Sequence, residues 1–167
     1  MYPTLLKDFN LFVDGHGHQG LVMKITPPKL SSKLEAFFAG GMVGEVEADV
    51  GMEKLNSTFE ISEWRPELIE LFGGTGISST AFRFTGSVEK NDDPTTAVPV
   101  SMIYRGRISV IDYGDLERGK LMPLKVECAL TYFKYSHAGR ELVEIDMLNG
   151  IDRVGGVDRM AARRAAL

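Results

Sequence analysis

The sequence predicts a mainly β domain, a sandwich or barrel with one short helix on its flank. Three observations predict it. Apolar and polar residues alternate over several windows, the mark of half-buried strands. Eighteen glycines punctuate the chain, far more turn signals than a helical protein needs. Only one window carries both a helix start and a helix stop.

The 167 residues suit one domain, 1–167, with one sizeable core. A hydrophobic content of 44% and a charged content of 25% are those of an ordinary globule. The net charge of −4, from 19 basic and 23 acidic residues, argues against an electrostatic grip on nucleic acid. It is compatible with a surface that lets a polyanion slide past. Cys128 is the one cysteine, so no intramolecular disulfide forms, which fits a reducing compartment. No basic start leads into an apolar run, and no stretch approaches the ~18 apolar residues of a membrane span, so stable membrane association is not expected.

Taken in order, residues 9–13 read as a strand, Asp14-Gly15-His16-Gly17-His18 as its turn and 21–25 as the return strand of a hairpin. Thr26-Pro27-Pro28 ends it. Residues 29–38 fit two patterns. Leu30, Leu34, Phe37 and Phe38 match a helical face, while Ser31-Ser32 and Gly40-Gly41 limit it and allow an extended chain. Residues 45–50 alternate acid against apolar and 56–61 do so more loosely, which predicts a long hairpin over 44–62. Residues 65–72 make the helix: Pro66 suits its first position, Glu67 its positive end and Gly73 its stop. Strands at 82–88 and 97–104 flank a polar turn at 90–94, and 107–111 continues the second past Gly106. A long strand over 121–135 turns at His137-Ala138-Gly139 into another at 141–145. Asn149-Gly150 and Gly155-Gly156 then lead into a basic terminus.

Strand faces add detail. Leu124, Val126, Cys128, Leu130 and Tyr132 fall on one face of the long strand, and Lys125, Glu127, Ala129 and Thr131 on the other. Val46, Ala48 and Val50 oppose Glu45, Glu47 and Asp49. A sheet with one dry and one polar face is half solvated.

Candidate chemistry is sparse. His16 and His18 form an H-x-H pair, but a metal site needs a third ligand, and a hairpin turn explains them more simply. Gly73-Gly74-Thr75-Gly76 lacks the lysine and hydroxyl of a phosphate loop and ends a helix rather than starting one. Cys128 reads as a small buried hydrophobe without a base. Glu45, Glu47, Asp49 and Glu60 read as a solvated acidic wall rather than an acid/base set. Arg153, Arg159, Arg163 and Arg164 make the terminus basic. It is either a fraying end or an arm that docks on a neighbouring copy. No catalytic, cofactor-binding or metal-binding residue is assigned.

Four stretches together carry a resemblance. They are Asn10-Leu11-Phe12-Val13-Asp14-Gly15 with Gly20 and Thr26-Pro27-Pro28-Lys29-Leu30; Lys33-Leu34-Glu35 with Ala39-Gly40-Gly41-Met42 and Val50-Gly51-Met52-Glu53; Phe82-Arg83-Phe84-Thr85-Gly86-Ser87 with Arg105-Gly106-Arg107; and Thr131-Tyr132-Phe133-Lys134 with 139–146, Asn149-Gly150 and Gly156-Val157-Asp158-Arg159. In order and spacing the chain resembles the major tail tube protein of contractile-tailed bacteriophages and R-type pyocins over nearly its full length.

The resemblance implies a structural, non-enzymatic subunit without cofactors. It implies hexameric rings whose subunit sheets close one inner β-barrel, stacked into a tube inside a sheath. Implied partners are further copies, the sheath, the baseplate and tail terminator proteins, with DNA passing non-specifically if the particle is a phage. The implied location is a virion tail or tailocin, assembled in the bacterial host cytoplasm. On this reading Glu45, Glu47, Asp49, Glu60, Lys125, Glu127 and Thr131 are candidates for the lumen face. Tyr2, Leu5, Met42, Met52, Arg153, Arg159, Met160, Arg163 and Leu167 are candidates for inter-subunit contact, with 1–8 and 152–167 as terminal arms. A type VI secretion-like tube is the alternative. A small β-barrel enzyme or binding module is more distant, because no convergent polar site supports it.

Overall fold

The computed structural model describes residues 2–167. The chain is mainly β, as the alternation requires. Its elements are β1 (Thr4–Val13), β2 (His16–Gly17), β3 (Val22–Thr26), β4 (Ser32–Phe37), β5 (Val46–Met52), β6 (Leu55–Ile61), α1 (Pro66–Glu70), β7 (Thr80–Lys90), β8 (Asp93–Asp112), β9 (Leu124–His137), β10 (Arg140–Asp146), β11 (Ile151–Val154), β12 (Val157–Asp158) and α2 (Ala161–Ala165).

Two long antiparallel strands, β8 and β9, are the frame. The first part of β8 pairs with the end of β9, from Val100↔His137 to Arg105↔Tyr132. The second part pairs with the start of β9, from Gly106↔Leu130 to Asp112↔Lys125. Thr131 is the extra residue between them, and a bulge of this kind bends a strand and sharpens its twist. Beside the first half lie β7 and β1 on one flank and β10, β11 and β12 on the other. Beside the second half lie β6 and then β3. The sheet thus folds into two layers that share β8 and β9.

The core sits between the layers. Phe59 of β6 and Phe82 of β7 lie on strands that do not pair, yet their rings are 6.2 Å apart. Phe82 stacks on Tyr104 at 5.4 Å. Leu11, Val13, Leu55, Ile61, Leu124 and Val126 close around them, fully buried. Leu68 seals the core from α1, whose Pro66 start and single buried face match the sequence expectation.

Gly106 makes the bend possible. A Cβ there would lie 2.0 Å from the carbonyl oxygen of Ala129 and 2.8 Å from Leu130 Cα. Only a residue without a side chain lets the strands approach this closely.

Several sequence expectations change. Residues 21–25 do not return along β1. Asp14 and Gly15, with φ of 51° and 85°, make a tight turn into only His16–Gly17, and β3 goes to β6 instead. The reason is β7, which matches β1 from Thr4↔Lys90 to Val13↔Phe82 and faces its apolar side chains to Leu11 and Val13. The long hairpin is not 44–62. β5 pairs with the previously ambiguous β4, from Ser32↔Met52 to Phe37↔Val46, and these strands form a separate two-stranded sheet. β6 buries Leu55, Ser57, Phe59 and Ile61 and uses both its edges in the main sheet, so Glu53-Lys54 is a passage between sheets rather than a turn.

On β9 the apolar face ends at Leu130. The bulge shifts the alternation, so Phe133 is buried and Tyr132 is only partly so. Residues 4–6 pair with 88–90, so the first eight residues are in large part strand. The sheet also continues through 151–158, past the start of the expected arm at 152. Ile145 pairs with Asp152, and Arg153 with Asp158. A second helix, α2, follows.

Candidate assembly surfaces

The first surface is the polar face of the layer β3–β6–β9–β8. Cross-strand partners share a face. Lys24, Glu60, Lys125 and Asp112 therefore form one row, and Thr26, Thr58, Glu127 and Val110 the next. Arg107 and Ala129 continue it. Three lumen candidates, Glu60, Lys125 and Glu127, stand together here. Thr131 sits at the bulge, where its hydroxyl meets Ser78 and donates to the Arg105 carbonyl at 3.5 Å. Lys24, Lys125 and Arg107 offset Glu60, Glu127 and Asp112, so the face is charge-balanced rather than acidic. Among the described residues both edges of this layer are open: β3 pairs only with β6, and 109–112 pair only with β9.

The second surface is the β4–β5 hairpin. Glu47 and Asp49 are on β5, with Glu45 just before it, so these three lumen candidates belong to a different sheet from the other four. Glu47 and Asp49 share a face with Ala36 and Leu34, and the opposite face carries the pair Phe37 and Val46. Phe37 is 58% exposed and Val46 55%, and Leu34, Phe38, Val43 and Val50 are exposed too. A two-stranded ribbon with bare apolar side chains is marginal alone and is stabilised by burial against something else. Met42 lies at the tip, its sulfur accepting the Ala39 N–H at 3.2 Å. Met52 packs at the root against the core, as an anchor rather than a free contact.

The third surface is the C-terminal edge. Arg153 binds Glu144 at 2.7 Å, and Tyr132 donates to the same carboxylate at 3.0 Å. Arg159 binds Asp152 at 2.8 Å. Arg164 reaches back to Asp158 and to the Gly150 carbonyl, at 2.8 Å for the latter, while the Met160 N–H donates to Asp158 at 3.0 Å. The hydrogen bond from Arg164 holds the Asp158 carboxyl below its usual range. This clamp folds α2 onto its own subunit. A cleft of about 300 Å³ lies between the hairpin root and this edge, and it brings Asp49 and Met52 together with Arg159, Met160 and Arg163. Tyr2 and Leu5 are exposed at the far end of the chain, as are Arg163 and Leu167 here.

Cys128 is buried on β9, and burial pushes its thiol up to about 12, far from a reactive thiolate. His137 hydrogen-bonds Tyr135 at 3.1 Å. Among the described residues no three His, Cys, Asp or Glu side chains converge as metal ligands. What sequence reasoning missed is the exposed apolar set of the hairpin, whose signal lay in Leu34, Phe37 and Phe38, and the balancing cations Lys24 and Arg107.

A family model described as phage tail tube protein FII matches residues 3–167. The tail tube protein of Escherichia phage P2 is 36% identical over 165 residues, covering 97% of this chain and 95% of its own length. The major tail tube protein of Serratia phage KSP20 is 33% identical over 160 residues, covering 92% of this chain and 89% of its own. Among solved structures, a chain of the extended sheath–tube complex of the extracellular contractile injection system PVC superposes with a TM-score of 0.62 at 8% identity, covering 81% of this chain and 92% of that one. A chain of the anti-feeding prophage baseplate gives 0.56 at 9% identity, with 77% and 90% covered. At such identities the structural likeness concerns the fold.

Proposed function

Because this chain belongs to the phage tail tube protein FII family, it is a structural subunit of a contractile tail tube, and we propose that its copies join into hexameric rings through the open edges of the four-stranded layer. The supporting observation is the direction of those edges. β3, β6, β9 and β8 alternate in direction, so β3 of one copy and the end of β8 of the next meet antiparallel in a ring of equivalent subunits. Closure satisfies the backbone groups that the lone subunit leaves bare.

The polar face then lines the lumen. A charge-balanced wall offers DNA phosphates no net cationic grip, so a polyanion passes without counterion release holding it in place. The hairpin's apolar side chains are buried against adjacent copies, and Asp49 with the Arg159–Arg163 edge forms part of the contact. A sheath, a baseplate and a terminator complete the particle, which assembles in the host cytoplasm. In this reading the chain carries no catalytic role.

Electron microscopy of the purified full chain, with and without a nucleating baseplate, tests this. Hollow rings or tubes are the expected result. A chain that stays monomeric in both conditions refutes it.

A further inference from the structure

The loop between β8 and β9, residues 113–123, carries bare apolar side chains that none of the three surfaces above uses. Leu116 is 60% exposed and Leu121 66%, and Tyr113 and Met122 are exposed too. The loop is pinned rather than loose. Trp64, itself packed against the core, meets the Tyr113 ring edge-on at 5.0 Å and donates its indole N–H to the Pro123 carbonyl at 3.3 Å. Asp112 accepts the Gly114 N–H at 2.9 Å, where a φ of +63° turns the chain. Glu117 pairs with Lys120. Apolar side chains held ready in water gain free energy on burial and lose little freedom in the process.

Position in the sheet identifies the partner. In the layer β3–β6–β9–β8, Val22, Ile61, Leu124 and Asp112 lie at one end, and the loop joins β8 to β9 there. Thr26 and Leu55 lie at the other end, where the β4–β5 hairpin leaves the layer and rejoins it. Loop and hairpin, both with bare apolar side chains, thus sit at opposite ends of the same strands. The strands of a closed barrel run along its axis with a tilt of about 35–45°. One end of the layer therefore faces the ring above and the other the ring below.

Charge selects the same pairing. Over 32–52 the hairpin sets Glu35, Glu45, Glu47 and Asp49 against Lys33 alone. The loop balances Asp115 and Glu117 with Arg118 and Lys120. Hairpin against hairpin would bring like charges together, whereas hairpin against loop does not.

We propose that loop 113–123 is the seat on which the hairpin of a copy in the adjacent ring stacks. A contact between different surfaces at opposite ends of one subunit is heterologous and repeats without closing, which turns rings into a filament. This stacking contact rests on the tube reading, and it names which part of an adjacent copy covers the hairpin.

Thiol crosslinking in the full chain tests it. Phe38→Cys with Leu121→Cys puts one new thiol on each surface, while Cys128 stays buried and unreactive. A short bismaleimide applied to assembled tubes should give a ladder on a denaturing gel that runs past the hexamer, because each copy joins one above and one below. Either cysteine alone should give no ladder. No ladder from the pair, or a ladder that stops at the hexamer and so marks contact within one ring, overturns the proposal. The critical concentration for tube formation, read by sedimentation, is the second measurement. Leu116→Ser with Leu121→Ser should raise it about tenfold or more. Both side chains are exposed in the subunit, so its thermal melt should stay in place. An unchanged critical concentration overturns the stacking contact and leaves the tube reading intact. If the cysteine pair blocks assembly, the serine pair decides alone. If the unaltered chain forms no tube even on a baseplate, the tube reading falls and the stacking contact falls with it.

Discussion

Gly106→Ala should be among the most damaging single-methyl changes available to this chain. The added carbon would lie 2.0 Å from the Ala129 carbonyl oxygen, whereas ordinary contact begins at 3.4 Å. The strands must separate by about 1.4 Å, and the obstacle is backbone, which has no rotamer to swing away. That shift stretches the pairing at Gly106↔Leu130 and Arg107↔Ala129. Each lost hydrogen bond costs about 1 kcal/mol, and overpacking adds about 1–3 kcal/mol. The sum, about 3–5 kcal/mol, is a large part of the ~5–15 kcal/mol that holds a typical domain. Urea unfolding followed by circular dichroism measures it. With a slope of about 2–3 kcal/mol/M, the midpoint should fall by roughly 1–2.5 M. Gly139→Ala is the control. Its Cβ meets nothing within 4 Å, and its φ of +77° alone should cost about 1 kcal/mol. If Gly106→Ala proves no worse than Gly139→Ala, the close approach of β8 and β9 is not what the bend depends on.

Other outcomes follow from the same surfaces. Phe37→Ser with Val46→Ser should leave the unfolding free energy from urea melts within about 0.5 kcal/mol of that of the unaltered chain while suppressing tube formation; a collapsed midpoint would place this pair in the subunit's own core. Glu127→Lys should likewise be tolerated by the fold, and tubes carrying it should retain polyanions more strongly at low salt, read by co-sedimentation of DNA. Asp158 has its folded pKa depressed below 3.8, chiefly by the Arg164 hydrogen bond. Its clamp is therefore complete above the unfolded value and is lost as pH falls through the lower folded value. Amide exchange at 160–165 should rise below pH 3.8 in the unaltered chain and already be raised at neutral pH in Arg164→Ala.

The fold class was legible because alternation is a local signal. Each of 56–61, 82–88, 97–104 and 124–130 buries one face, and that face is written in its own residues. Pairing was less legible. Residues 21–25 and 45–50 both have plausible neighbours in the chain, yet each found a different partner, because the choice depends on which apolar faces meet across the core. Thr131 marks a further limit. A bulge adds one residue to the pattern and reverses every position after it, and so Phe133 rather than Tyr132 points inward. The lumen candidates divided for the same reason. Glu60, Lys125 and Glu127 share strands that pair, while Glu45, Glu47 and Asp49 travel with a hairpin whose partner strand at 32–37 had read as either helix or strand. The basic terminus was visible as charge, but its grip on Asp152 and Asp158 depends on turns that composition does not specify.

β8 has a mechanical consequence. Its 20 residues span about 65 Å of continuous backbone and belong to both layers. Force applied to the layer that carries the β3 edge therefore reaches the other layer through covalent bonds and not only through side-chain contact. The layers cannot slide over one another as two stacked plates would. Under load the subunit should yield first at its hydrogen-bonded margins, β3 and β1, with β8 and β9 the last to part. A wall built of such units transmits thrust and torque from ring to ring with little internal shear, as a rod driven endwise requires.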